Sequence, residues 1–357
     1  MNYRVVQFDP DDKLTLREFL NLPKRLYNKK ELMQNEDEEK ALVSGTHVLS
    51  RYFKVFPFIA LDDSGKAAAR CVLTAYHDRD CAYIGFYESI DDKEASDCVF
   101  EASERLAAQL GYNSVSGPVD CSFWIRYRLK VNKFGDPYTG EPYNMDYYEK
   151  FFLDRGYEIC GEYISNRFRK VDRDFHNQKF EKRLSDMKAN GYEIISPRPD
   201  TFDKTLREIY SLLIELYSDF QTFIHINERE FTELYSPLKK VIDYRMVKMA
   251  YYNGNAVGFF VTVPNMGNAV NGKLTLPKIL RIARTKLVCH DYVMLYMGVD
   301  SEHRGLGKAL AESIRRELTE NGAQSIGALI RKGKNNGDWF RELVEYEYEY
   351  RLYEKKL

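Results

Sequence analysis

An apolar run, a loop of small residues and an amphipathic helix follow one another near the end of the chain. Residues 293–299 (VMLYMGV) predict a buried strand, and the loop at residues 304–309 reads RGLGKA. The residues that then recur at helical spacing are Leu310, Ile314 and Leu318. The first amides of a helix have no internal partner and lie at the positive end of its dipole, and glycine lets a ligand approach the backbone. This order of elements therefore predicts a phosphate site at the start of the helix.

Two common phosphate-binding loops do not fit this stretch. The pattern GxxxxGK[ST] is absent from it, and GxGxxG fails because Ala309 and Leu310 stand where its last glycine is needed. The alternative to a phosphate site is an ordinary strand-to-helix turn. Arg304 and Lys308 add positive charge, which favours the phosphate site.

The loop resembles the acetyl-CoA loop of the GNAT acyltransferase superfamily, written [QR]-x-x-G-x-[GA], with Arg304, Gly307 and Ala309 at its fixed positions. The resemblance implies that acetyl-CoA is the co-substrate. It also implies that the strand splays from its neighbour and offers backbone groups to pantetheine, where Gly298 would permit close approach. The cofactor contacts that it implies are Met297, Gly298, Val299, Arg304, Gly305, Leu306, Gly307, Lys308 and Ala309.

The first half of the chain has the element order of a GNAT core but no phosphate loop. After 50 residues that look helical and polar, the predicted elements are strands at 53–61, 67–76 and 81–88, a helix at 91–110 and a strand at 115–119. The turn before that helix (SIDDKE) has no glycine and three carboxylates, which would repel a pyrophosphate. The segments YIGFYESIDD, SGPVD and PYNMDYYEKFFLDRGYE resemble the N-terminal half of bacterial tandem-GNAT proteins.

A charged helical segment at residues 172–190 predicts a connection between two domains. We expect a degenerate GNAT-like domain at 1–171 and an acetyl-CoA-binding GNAT domain at 191–357. The fold class is α+β (α/β), with a mixed, mostly antiparallel sheet flanked by helices in each domain. A short helix at 335–343 and an edge strand at 346–353 (YEYEYRLY) close the chain.

Residues 264–291 are an insertion between expected strands of the second domain. They carry several Lys and Arg residues and a predicted helix with a basic face. The segment is either a surface decoration or a lid or acceptor for an acidic group.

Composition excludes several classes of protein. Lys plus Arg number 53 and Asp plus Glu 54 in 357 residues, so the basic excess of a dedicated nucleic-acid binder is missing. The first residues form no apolar leader, and no apolar run approaches the ~20 residues of a membrane helix. The six cysteines have no metal-type spacing, so reduced thiols and no metal are expected. We expect a cytoplasmic protein without a nucleic-acid or membrane partner, in an oligomeric state that the sequence leaves open.

An amine acceptor must lose a proton before it attacks a thioester, so a base is expected beside the cofactor strand. A backbone amide near Val299 would stabilise the oxyanion. Many GNAT proteins place a tyrosine on the short last helix, and that register here gives Glu342 or Leu343. Asp291, at the start of the strand, and Tyr346, just past the helix, are the nearest substitutes; each also has a purely structural alternative.

Three functions fit these patterns. The first is an N-acyltransferase that moves an acetyl group from acetyl-CoA to a small-molecule or peptide amine by direct attack in a ternary complex. Direct attack is expected because Cys289 lies at the far end of the strand from the loop, and the adjacent His290 would point to the opposite face. The alternatives are an aminoacyl-tRNA-dependent transferase, which also pairs two GNAT-like folds, and a non-catalytic tandem-GNAT ligand-binding protein.

Overall fold

The computed structural model describes residues 2–218, 220, 222–272, 275–333 and 335–357, and the chain forms two compact units. The segments of unit one are Met1–Tyr163, Val270–Leu274 and Glu349–Leu357. The segments of unit two are Ile164–Ala269 and Thr275–Tyr348.

The strands are β1 (Arg4–Gln7), β2 (Lys54–Leu61), β3 (Ala67–Ala75), β4 (Cys81–Ser89), β5 (Ser114–Gly117), β6 (Val119–Asp120), β7 (Arg126–Tyr127), β8 (Leu129–Lys130), β9 (Glu158–Phe168), β10 (Tyr192–Ile195), β11 (Val247–Tyr252), β12 (Asn255–Pro264), β13 (Asp291–Val299), β14 (Gln324–Arg331) and β15 (Val344–Lys356). The α-helices are α1 (Lys13–Leu26), α2 (Glu36–Val43), α3 (Lys93–Gln109), α4 (Tyr148–Asp154), α5 (Gln178–Ala189), α6 (Phe202–Leu216), α7 (Glu228–Tyr235), α8 (Leu276–Leu287) and α9 (Leu306–Asn321).

Unit one is built on a sheet in the order β1-β2-β3-β4-β5-β15. The first four strands are antiparallel, β5 runs parallel to β4, and the end of β15 runs antiparallel to β5. Val99 and Phe100 of α3 are fully buried together with Ile84 of β4 and Phe152 of α4. The apolar stripe of α3 thus closes the core against this sheet.

Two expectations for this unit were wrong. The first 50 residues are not all helical, because β1 pairs with β2; four residues with only two apolar positions are too short to give a period. The last strand is not an edge strand, because Tyr353 to Lys356 pair with β5 and Tyr350 and Arg351 pair with β8. Tyr350 and Tyr353 are buried, whereas Tyr346, on the same alternation as Tyr350, is exposed.

Unit two has the strand order β9-β14-β13-β12-β11-β10. β10 to β13 are antiparallel, and β13 and β14 are parallel. Helices α5 and α9 share a core with Val257 and Phe260 of β12. The next residue, Val261, lines an apolar cavity with α6 and α7, which therefore cover the opposite face of the sheet. The α+β fold class with mixed, mostly antiparallel strands and flanking helices is confirmed.

The connecting and closing helices differ from expectation in extent. The segment expected at 172–190 is helical only as α5, which packs against α9 inside unit two. The helix expected at 335–343 is replaced by two 3₁₀ turns, Asn335–Asp338 and Arg341–Leu343. A polar run with a glycine at 337 offers too little apolar surface for a longer helix.

The units do not follow the domain limits expected from the sequence. Unit one ends at Tyr163 and regains Glu349–Leu357, whereas the expected second domain was 191–357. Independent folding of 1–171 and 191–357 stays a prediction. Across the described residues, no helix is both long enough and apolar enough to cross a membrane. In the same part of the chain no cluster of His, Cys, Asp and Glu is suited to hold a metal ion.

Candidate functional site

The start of α9 is a helix N-terminus without a side-chain cap. Gly305 is its N-cap residue and has φ 90° and ψ −9°, a left-handed conformation that favours glycine. Within the described part of the chain, no side-chain cap accepts a hydrogen bond from the first amides of the helix. The amides of Leu306 and Lys308 donate to the carbonyl oxygens of His303 and Gly305, each at 3.2 Å. The Gly307 amide, at the positive end of the helix dipole, is therefore the one most available to an anion.

Three cations surround this helix start. Lys308 belongs to the first turn of α9, and Lys179 and Arg183 reach it from α5. Desolvation first, and then the charges of Lys179 and Arg183, lower the pKa of Lys308. Among the residues that the structure describes, no carboxylate lies within 4.0 Å of any of the three cations. The helix start therefore carries uncompensated positive charge.

Arg183 lies directly against the loop. A Cβ atom added to Gly305 would come within 3.0 Å of the Arg183 guanidinium carbon. The side chain of Arg304, in contrast, is exposed. Leu306 and Ala309 are fully buried in the core of unit two, so they anchor the helix and contribute only their backbone to the loop. His303 is held by Tyr192, whose hydroxyl lies 2.8 Å from its Nδ1.

β13 separates from β14 and bulges relative to β12 at one point. Its pairing with β14 ends at Met294 and Gly327, although both strands continue beyond it. Directly after Met294 the register between β13 and β12 shifts, so that Leu295 is an extra residue without a partner on β12. A bulged residue has backbone groups free of the ladder. The splayed strand expected from the sequence is therefore present, and it begins at Leu295.

Met297 and Val299 face the start of α9. The space beside Gly307 is bounded by Met297 Cε and Val299 Cγ2, each 3.8 Å from an added Cβ, and by Trp339 Cη2 at 3.0 Å. The Trp339 ring packs edge-on against Phe180 of α5. Gly307 thus packs closely against the indole of Trp339, and any side chain at this position would press on that ring.

Gly298 faces the other side of the sheet. A Cβ there would lie 2.5 Å from Phe259 and 2.7 Å from Leu216, so close side-chain packing requires the glycine. This reason differs from the close ligand approach expected from the sequence. On the same side, the Tyr217 hydroxyl donates a hydrogen bond to the carbonyl oxygen of Met297 at 3.2 Å. Sequence reasoning missed Tyr217, which carries no signal beyond its place at the end of an amphipathic helix.

Asp291 is not brought to the glycine loop. It opens β13, and at about 3.3 Å per residue it lies roughly 26 Å along the strand from Val299. Its Oδ1 pairs with Arg167 at 2.6 Å, and its Oδ2 accepts a hydrogen bond from Asn265 at 2.8 Å. Both carboxylate oxygens therefore have structural partners.

Tyr346 lies on β15 and is exposed, with its hydroxyl 3.3 Å from that of Tyr348. The two positions where the sequence register expected a tyrosine have other roles. Leu343 is buried, and the Glu342 carboxylate accepts a hydrogen bond from Asn177 at 3.1 Å.

Cys289 and His290 do not form a nucleophile–base pair. The Cys289 thiol donates to the carbonyl oxygen of Asp291 at 2.9 Å, and burial raises its pKa. The His290 ring lies 3.0 Å from the carbonyl oxygen of Asn321. The two side chains therefore have separate partners.

Unit one has a corresponding strand bulge and a corresponding helix start, but there its own carboxylates accept hydrogen bonds from the backbone amides. β4 and β5 pair only as far as Tyr83, and β4 then bulges at Phe86, where φ is 48°. The Phe86 amide donates to Asp120 Oδ1 at 2.5 Å. At the start of α3, Asp92 accepts from the amides of Glu94 at 2.8 Å and Ala95 at 3.4 Å. Neither position in unit one is open to an anionic ligand.

Solved structures identify the class of fold. A tandem GNAT protein from the clavulanic acid biosynthesis pathway is 10% identical, with a TM-score of 0.55 over 99% of this chain and 98% of its own. A GCN5-related N-acetyltransferase from Sphaerobacter thermophilus is 11% identical, with a TM-score of 0.50 over 99% of this chain and 95% of its own. The glucosamine N-acetyltransferase region of a fungal GH3 β-N-acetylglucosaminidase is 14% identical, with a TM-score of 0.54, and 38% of that longer chain is covered.

The chain therefore has the GNAT N-acyltransferase fold, and it has this fold twice, as in a tandem GNAT protein. The resemblance read from the loop is confirmed at the level of the fold. No family model matches the sequence, and no curated protein is similar to it in sequence.

Proposed function

We propose that unit two is an acetyltransferase that binds acetyl-CoA at the start of α9 and transfers the acetyl group to an amine. The observation that carries this proposal is the contrast between the two helix starts. α9 begins at an uncapped left-handed glycine with Lys308, Lys179 and Arg183 around it, whereas α3 begins at a carboxylate. Backbone amides and cations without counter-ions are the groups that a diphosphate requires.

The residues around the loop fit coenzyme A. The Gly307 amide and the cations at the start of α9 would receive the pyrophosphate, and Trp339, which packs over Gly307, would border the adjoining part of the molecule. The cofactor contacts proposed from the sequence, at 297–299 and 304–309, therefore divide by role. Gly305, Gly307 and Lys308 would face the ligand, while Leu306 and Ala309 would hold the helix in place.

The coenzyme supplies the thioester, and the chain supplies its orientation. Pantetheine would follow the splayed part of β13, where backbone groups are free of β14. Leu295 is a better candidate than Val299 for the amide that stabilises the oxyanion. Val299 lies opposite Gly258 in the ladder, whereas Leu295 has no partner on β12.

Tyr217 is a titratable side chain whose hydroxyl contacts the backbone of the splayed strand. We infer that it positions the acceptor or returns a proton to the leaving thiolate. Asp291 is engaged by Arg167 and Asn265, and Tyr346 lies on β15, so the geometry supports Tyr217 above these two candidates.

Direct attack of the amine requires only an oriented thioester, an oxyanion donor and a proton acceptor. A covalent route requires an activated nucleophile. Cys289 is buried with a raised pKa and is hydrogen-bonded to a carbonyl oxygen, and these contacts favour the direct route. The acceptor class remains a small-molecule or peptide amine.

The test is thiol release from acetyl-CoA by the full chain against a panel of amines. We expect release that depends on both the amine and the protein, and loss of release in Lys308→Glu. Lys188→Glu, an exposed change on α5 beyond the loop, should keep full activity. Release that persists in Lys308→Glu, or no release with any amine, would overturn the acetyltransferase proposal. The second result would favour a non-catalytic ligand-binding protein.

A further inference from the structure

The segment before β13 concentrates positive charge. Residues 264–290 contain Lys273, Lys278, Arg281, Arg284 and Lys286 and no Asp or Glu, in a chain whose net formal charge is −1. α8 lies in this segment. An interval of this length without an acid, in a chain with 54 of them, makes the surface that α8 presents distinctly cationic.

The apolar stripe of α8 faces away from unit two. Leu276, Ile279 and Leu280 recur at helical spacing and are 69%, 47% and 62% exposed. Ile282, about 60° around the helix from Ile279, is 8% exposed and is the buried aliphatic side chain at the inner edge of this stripe. An ordinary surface helix turns its apolar stripe inward, so the orientation of α8 is the reverse of the usual one.

Cations flank this stripe. Arg281 and Arg284 are exposed, and 100° per residue places Arg284 beside Leu280 on one side and Lys286 beside Ile279 on the other. Lys286 also donates to the carbonyl oxygen of Lys240 at 3.1 Å, which fixes that edge of the helix. Aliphatic side chains bordered by Lys and Arg on both sides are typical of helices that lie in the interface of an anionic bilayer.

We propose that α8 docks the protein on an anionic phospholipid surface, with Leu276, Ile279 and Leu280 among the acyl chains and Arg281 and Arg284 at the phosphates. Charge complementarity selects this occupant, because an anionic headgroup layer is a continuous partner for cations on both sides of the stripe. The proposal departs from the sequence-based expectation of no membrane partner. It does not depend on the acetyltransferase activity, since α8 contributes no residue to the α9 loop.

The test is flotation of the full chain with vesicles of phosphatidylcholine alone or mixed with phosphatidylglycerol. We expect binding to the mixed vesicles only, and its loss when salt is raised from about 0.1 M to about 1 M. Arg281→Gln with Arg284→Gln should lower partitioning about 30-fold, at about fivefold per cation. Leu276→Glu with Leu280→Glu should abolish it.

Leu14→Glu is the matched control, because Leu14 on α1 is 69% exposed, as is Leu276, but belongs to unit one. This variant should bind vesicles as the natural chain does, and circular dichroism checks that every variant folds. Equal binding to neutral vesicles, or undiminished binding by the α8 variants, would overturn the proposal. So would a dimer in analytical ultracentrifugation that Leu276→Glu with Leu280→Glu converts to a monomer, because the stripe would then cover a second copy.

Discussion

The carboxylate of Asp120 accepts a hydrogen bond from the backbone amide of Phe86, at 2.5 Å, where β4 bulges. Leu295 holds the corresponding bulge in unit two, and no described carboxylate bonds to its amide. The helix starts differ in the same way, with Asp92 on α3 and Gly305 on α9. The two units therefore share a bulge and a helix start. In unit one, acidic side chains accept hydrogen bonds from the backbone amides at these two places, whereas in unit two no described carboxylate does so.

The first prediction concerns the cap of α3. Asp92→Ala removes two hydrogen bonds to amides and the bond from the Tyr3 hydroxyl, so the free energy of unfolding should fall by about 1–2 kcal/mol in urea titrations. Asp91→Ala, at the exposed neighbouring position, should leave it unchanged. Equal losses in the two variants would show that Asp92 acts by charge alone.

The same cap predicts a pH dependence. The hydrogen bond from Tyr3, followed by those from the Glu94 and Ala95 amides, lowers the pKa of Asp92 below its ordinary 3.8. A carboxylate whose pKa is lower in the folded state stabilises the fold above the unfolded pKa, and this contribution disappears as the pH falls through the folded value. The stability difference between the natural chain and Asp92→Ala should therefore be constant at neutral pH and shrink below pH 3.8. A difference that grows in acid would contradict this account.

The third prediction concerns the return of the C-terminus to unit one. The Tyr350 hydroxyl donates to Glu141 at 2.6 Å, and Glu141 also pairs with the buried Lys130 at 2.6 Å. Tyr350→Phe removes one donor from a buried carboxylate, so the free energy of unfolding should fall by about 1–3 kcal/mol. Tyr346→Phe, at an exposed position of the same strand, should change it little. If both changes are neutral in chemical denaturation, the hydrogen bond from Tyr350 to Glu141 does not stabilise unit one.

The fourth prediction uses the two tryptophans of the chain as reporters. Trp339 packs over Gly307 at the start of α9, whereas Trp124 is buried in unit one. Binding of coenzyme A should change the intrinsic fluorescence of the natural chain and of Trp124→Phe. It should not change that of Trp339→Phe, although this variant still binds in a calorimetric control. A fluorescence change that is lost in Trp124→Phe but kept in Trp339→Phe would place the ligand in unit one.

The fifth prediction concerns the Cys289 thiol, which contacts the first residue of β13. Because burial raises the pKa of Cys289, its thiolate is scarce at neutral pH, and Cys289→Ala should keep its rate of acetyl transfer. Mass spectrometry of the natural chain after incubation with acetyl-CoA alone should show no acetyl adduct. A stable adduct on Cys289, with an inactive alanine variant, would replace direct attack by a covalent route.

The glycine loop could be predicted from the sequence because all of its parts are local. A strand, Gly305, Gly307 and the first turn of a helix follow one another, and their order alone positions the amides. Its partners could not be predicted in this way. Arg183 lies more than a hundred residues earlier in the chain, and only the packing of α5 on α9 brings it to Gly305. Trp339 lies in the segment 335–343, which was predicted to be a helix, so its contact with Gly307 was not expected.

The carboxylates that bond backbone amides in unit one could be predicted only in part. The acids of SIDDKE indicated a helix start without phosphate, but repulsion was the expected reason, whereas Asp92 occupies the amides as a cap. Asp120 gave no signal, because its bond to Phe86 depends on a bulge that periodicity does not reveal. The last strand was misread for a related reason. Its pairing with β5 joins residues more than two hundred positions apart, and alternation cannot report such a distant partner.

The central claim is that coenzyme A binds once per chain, at the start of α9. Titration calorimetry of the full chain with coenzyme A tests it most directly. We predict one site, with the dissociation constant raised about tenfold or more in Lys308→Ala and in Arg183→Ala, because each removes a charged contact. It should be unchanged in Lys188→Ala. Two sites per chain, or one site whose affinity ignores both Lys308 and Arg183, would contradict the claim.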